Sequence, residues 1–152
     1  MGDMKYAILI ASVFLASCSG KNPYIDYQQY ANGTVVNYHE GGNVRKVYQE
    51  ISDMQSPRMI KGTCASACTI AFKYPDTCVF LGSKAIFHAV WNQNRTISHD
   101  GTLAFLNQMP SKLKAYLSPK LLPNGVYSKM AKRNDYTISG HDLINRFGIK
   151  QC

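Results

Sequence analysis

"GTCASACTIAF", residues 62–72, sets one serine between two cysteines, where a strand-like run passes into an apolar stretch. Upstream, "RMIKGT" (58–63) reads as a short strand. Downstream, residues 66–73 read as a short helix closed by Tyr74-Pro75-Asp76. A residue that finishes a strand and opens a helix is presented sharply, and the free N–H groups of a first helical turn can hold an oxyanion. Ala65 and Ala67 leave room for a substrate beside Ser66. The arrangement follows the logic of a nucleophile elbow without a G-x-S-x-G motif. Serine is also a preferred helix cap, so Ser66 has a purely structural reading beside the catalytic one.

Working outward, "TVVNYHEGG" (34–42) reads as a strand entering a glycine turn, and "NVRKVYQEISDM" (43–54) as a helix ended by Ser56-Pro57. Val44, Val47, Tyr48, Ile51 and Met54 recur at helical spacing, which makes that face core. "CVFLG" (78–82) and "KAIFHAV" (84–90) read as two strands joined by a tight turn at Gly82-Ser83. Residues 92–101 are a loop, 102–117 a helix interrupted or bent at Pro110, and "LSPKLLPNG" a second loop. A short helix at 125–132 and a small strand at "YTI" follow. The last helix, "GHDLINRFG", is capped by Ser139 and stopped at Gly148. Strands and helices alternate, so the expected class is α/β.

His88 finishes the apolar strand "AIFH" and so points toward a sheet rim, where sites collect, although a satisfied core histidine is the plainer reading. Taken together and in order, "EGGNV", "CASACTIAF", "KAIFHAV" and "NDYTISGHDLINRFGI" resemble the Clp protease and crotonase superfamily. The resemblance covers about residues 34–150. It implies a compact spiral of β-β-α units, here N-terminally shortened and preceded by a signal peptide, with Glu40 where that family usually has a proline before Gly-Gly. It further implies Ser66 as nucleophile, His88 as general base and Asp135 as the carboxylate that orients the histidine. The backbone N–H groups of Gly42 and Ala67 would form the oxyanion hole. Asp142 and Asp100 are rivals to Asp135, which also reads as a turn residue. His39, His99 and His141 read as surface residues.

The N-terminus carries a different message. Lys5 precedes an apolar run from Tyr6 to Ala16, too short to span a bilayer comfortably, and "LASC" (15–18) looks like a bacterial lipobox. The expected organisation is a lipoprotein signal peptide at 1–17, a tether lipidated at Cys18 over 18–33 with room for one short strand, and a domain at 34–152. Ser19 after the cysteine favours, by resemblance to Gram-negative lipoproteins, an outer-membrane anchor facing the periplasm. Several acyl chains, at about 0.8 kcal/mol per buried CH₂, would outweigh a few surface lysines as an anchor. In that oxidising compartment Cys64, Cys68, Cys78 and Cys152 are expected in disulfides, in any of three complete pairings. Cys64-x₃-Cys68 lacks a matching second pair, so no metal is expected, and no cofactor.

The chain of 152 residues suits one domain, and its formal net charge of +8 suits an anionic surface. The basic residues are scattered, with pairs such as Arg45-Lys46 but no long run, so nucleic acid is not the expected partner. Two functional expectations follow. One is a membrane-anchored, ATP-independent serine hydrolase acting on a peptide or protein in the cell envelope, with room for a homo-oligomer. The other is a catalytically inactive Clp-like lipoprotein that binds an envelope partner. A coenzyme A site is the remote third, since that cofactor is not expected outside the cytoplasm.

Overall fold

The computed structural model describes residues 25–122 and 135–152. The signal peptide expected at 1–17, Cys18 and the helix expected at 125–132 lie outside those residues. The described chain is mixed α/β, one seven-stranded sheet with helices packed on it. Among the described residues no helix is long and apolar enough to cross a membrane.

The sheet is built around β3 (Arg58–Ala65). On one side β3 pairs in parallel with β2 (Gly33–His39), which pairs antiparallel with β1 (Ile25–Tyr30). The stretch read as a tether thus contributes its one strand to the sheet edge. On its other side β3 is shared. Met59 and Ile60 pair with β4 (Cys78–Val79), and Thr63 to Ala65 with β5 (Lys84–Phe87). The chain turns between them at Phe80–Ser83, with Ser83 N–H donating to the Phe80 carbonyl at 3.0 Å. β4 then pairs with β7 (Lys150–Gln151), and β5 antiparallel with β6 (Tyr136–Ser139). Because two strands divide one edge, each is shorter than the sequence suggests.

One irregularity lies in the middle of β3. Thr34 to Val36 pair with Arg58 to Ile60, but Tyr38 and His39 pair with Thr63 and Cys64, so β3 carries one extra residue. Gly62 stands at this bulge, and a Cβ there would lie 1.9 Å from the Asn37 carbonyl oxygen.

Helix α1 (Val44–Asp53) is capped by the Asn43 side chain, which accepts from the N–H groups of Arg45 and Lys46. It buries Val47, Ile51 and, just past its end, Met54. Each such burial contributes about 1.5–3 kcal/mol. Val44 and Tyr48, expected on the same face, are instead partly exposed at 41 % and 37 %. Tyr48 takes the Lys73 ammonium on its ring and hydroxyl.

Residues 66–73 form a 3-10 helix rather than an α-helix. The helix expected at 102–117 is two, α2 (His99–Leu106) and α3 (Ser111–Leu121), separated at Pro110. Residues 99–101, read as loop, form the first turn of α2 because the Ser98 hydroxyl caps it by accepting from Gly101 N–H. α4 (Gly140–Asn145) is capped by Ser139 as the sequence indicates, and Gly148 past its end is left-handed at φ 72°. The core runs from Val36, Ile51 and Ile60 through Phe72 and Phe87 to Leu106, Leu113, Leu117 and Leu143.

Two disulfides tie this frame. Cys64 pairs with Cys68 across the end of β3, and Cys78 with Cys152 across β4 and β7.

Candidate active site

Ala65 ends β3 in extended geometry, and Ser66 then takes φ 56°, one of two non-glycine residues with positive φ among those described. The left-handed region costs a residue with a Cβ about 1–2 kcal/mol, so the turn is held by its surroundings. Those surroundings are specific. The Cys64–Cys68 disulfide closes a ring around Ser66, with both cysteines fully buried. The Ser66 carbonyl accepts from the Thr69 hydroxyl at 2.6 Å. Gly41, at φ 87°, lies flat against the turn, and a Cβ there would be 2.7 Å from the Ala65 carbonyl, the Ala67 nitrogen and the Ser66 Cβ. Only glycine permits that approach.

Beside Ser66 a cavity of about 300 Å³ opens. Gly42, Ala67 and His88 line it together with Ser66, and Val90, Trp91 and Phe105 give it an apolar wall. Arg45, in the first turn of α1, lies at its rim. The structure therefore gathers four residues singled out from sequence: Ser66, Ala67, His88 and Gly42. No hydrogen bond joins Ser66 to His88. His88 Nδ1 instead lies 2.7 Å from the Ala89 carbonyl. A carbonyl only accepts, so Nδ1 carries a proton, and in the neutral ring Nε2 is then the nitrogen with the lone pair.

Asp135 is placed less directly. It is exposed and is not among the residues that line the cavity. It precedes β6, whose ladder with β5 ends at Phe87 opposite Tyr136, so His88 and Asp135 each follow directly on that last pair. The two rivals are elsewhere. Asp142 pairs with His141 and Arg146 at the start of α4, and Asp100 with His99 on α2.

His39 corrects the sequence reading. His99 and His141 are exposed, but His39 is fully buried. Its Nδ1 accepts from Gly41 N–H at 3.0 Å, and its Nε2 lies 3.4 Å from Glu50 Oε2, in ion-pair reach but without hydrogen-bond geometry. Burial holds its pKa below the ordinary value of 6.5, with Glu50 pulling the other way. Tyr27 of β1 also faces Glu50, and burial followed by that carboxylate raises its pKa. The only signal in sequence was position, two residues before the Gly-Gly turn.

No protein-family model matches this chain, and no curated protein matches it significantly.

Proposed function

We propose that this protein is a serine hydrolase acting through Ser66, a peptidase or a related acyl-transfer enzyme of the cell envelope, anchored there through Cys18. The observation that carries the reading is the left-handed backbone of Ser66 at a strand-to-helix turn, opening on a cavity that His88 and Gly42 also line. A residue whose conformation costs energy, held by a disulfide and a packed glycine, is what a presented nucleophile requires.

In this reading Ser66 Oγ attacks a carbonyl carbon while its proton passes to His88 Nε2. The carbonyl electrons move to oxygen, and the N–H groups of Ala67 and Gly42 stabilise the oxyanion, each donor lowering the barrier by about 2.7–4 kcal/mol. Collapse expels the leaving group, which takes the proton from His88. Water, deprotonated by the same nitrogen, then releases the acyl group and restores Ser66. The Ala89 carbonyl fixes the histidine tautomer. Asp135, just past the last β5–β6 pair, would have to approach the ring to stabilise the imidazolium. Apo sites commonly hold serine and histidine farther apart than the reacting complex does.

The separation of Ser66 and His88 also favours a second reading, a binding protein that keeps the cavity without the chemistry. One experiment separates them. The full chain, with both disulfides formed, is treated with a fluorophosphonate and the adduct located by peptide mass spectrometry. Labelling at Ser66 that disappears in Ser66→Ala and falls in His88→Ala is expected. A folded protein that takes no label at Ser66 sinks the hydrolase reading.

A further inference from the structure

We infer that His39 is a positioning residue, which sets the Gly41-Gly42 turn against Ser66 by accepting the Gly41 amide proton on Nδ1. The inference rests on the hydrolase reading for its consequence, though not for its geometry.

The residues form a chain of contacts. His39 ends β2 opposite Cys64, itself bonded to Cys68 around Ser66. Two residues later Gly41 packs on Ala65, Ser66 and Ala67, and Gly42 lines the cavity. The His39–Gly41 hydrogen bond closes this short loop from behind. It commits the Gly41 N–H inward and leaves Gly42 as the member of the pair at the cavity wall. An amide can donate to Nδ1 only if that nitrogen is unprotonated, so neutral His39 carries its proton on Nε2, toward Glu50 of α1. From β1 the facing titratable group is Tyr27, and from β3 the partner Cys64 is locked in its disulfide. A buried imidazole with one ring nitrogen short of a full hydrogen bond is an expensive way to fill a core position. Its specific use here is an acceptor at the one place where the turn needs one.

The conservative variant is His39→Asn, whose side-chain oxygen falls near the place of Nδ1 and accepts the same proton. His39→Gln puts its amide nearer the place of Nε2, and His39→Phe keeps the bulk with no acceptor. Two readouts on the full, disulfide-bonded chain test the idea. In ¹⁵N-labelled protein, His39 Nδ1 is expected to resonate as the unprotonated ring nitrogen, coupled through the hydrogen bond to the Gly41 amide. Fluorophosphonate labelling of Ser66 is expected to stay within about threefold of wild type in His39→Asn, and to slow about a hundredfold in His39→Phe and His39→Gln, the scale of a misplaced oxyanion donor. A proton found on Nδ1, or a folded His39→Phe that labels at the wild-type rate, overturns the inference. If wild type itself takes no label, the hydrolase reading falls. The nitrogen spectrum then decides alone, with an Nδ1 uncoupled to Gly41 counting against a positioning role.

Discussion

The two ends of β3 put their polar side chains to different uses. At its start, Arg58 is buried, yet each nitrogen of its guanidinium donates a hydrogen bond, although the Thr34 hydroxyl opposite it on β2 is buried without one. Arg58 donates to the Ile51 and Ser52 carbonyls at the end of α1, meets both Asp76 oxygens at 3.1 and 2.8 Å, and lies 3.9 Å over the Tyr74 ring. The other end of β3 carries the candidate site. Ser66 sits in an unfavourable backbone region beside a cavity that His88 also lines, and His39, behind the turn, buries a ring nitrogen that is poorly met. A satisfied buried charge holds elements together, whereas a left-handed serine at a cavity, backed by a buried histidine that is poorly met, needs a reason beyond stability.

The contrast can be broken from either side. The largest effect is expected from Arg58→Ala, which leaves Asp76 and two helix-end carbonyls without their partner. It should cost about 3–5 kcal/mol in urea denaturation while the folded fraction keeps its Ser66 reactivity. Next is Cys64→Ala with Cys68→Ala. The short ring predicts a loss of about 2 kcal/mol from chain entropy alone, against about 4 for the long Cys78–Cys152 ring, yet only the short one should also slow labelling of Ser66. Then comes Ser66→Gly, which abolishes labelling but should raise stability by about 1 kcal/mol, because glycine adopts φ 56° without penalty. An unchanged or lower denaturation midpoint would show that the turn is unstrained.

The smallest effect concerns pH. His39 has a folded pKa below its ordinary 6.5, so the folded state binds fewer protons than the unfolded chain. Its contribution is present above that value and is lost as the pH falls from there through the folded value. Between pH 7.5 and 5.5 the wild type should lose more stability than His39→Asn, measured by urea midpoints. Equal losses would show that another group governs the acid limb.

Much of this was legible in the sequence because it is local. Ser139 sits one residue before its helix, Ser66 lies where a strand-like run meets an apolar one, and His88 follows four strand residues. What escaped depends on distant parts. A helical stripe shows that Val47 and Ile51 face inward, but not that the neighbouring Val44 borders a cavity rather than core. Nothing in "NYHE" marks His39 for burial, which comes from its place between Ile25 of β1 and Cys64 of β3 and from Glu50 of α1 beside its ring. The pairing of Cys78 with Cys152 follows from the β4–β7 register, and β7 is two residues that no periodicity reveals.

The extra residue in β3 acts as a phase shift. A strand alternates faces with a period of two, so inserting one residue at Lys61–Gly62 puts the half that carries Cys64 and leads into Ser66 out of step with the half that carries Arg58 and Ile60. The core half can keep its own alternation while the site half keeps another. The strand behaves as two rulers joined at a glycine, and mutations that retune one need not turn the serine on the other.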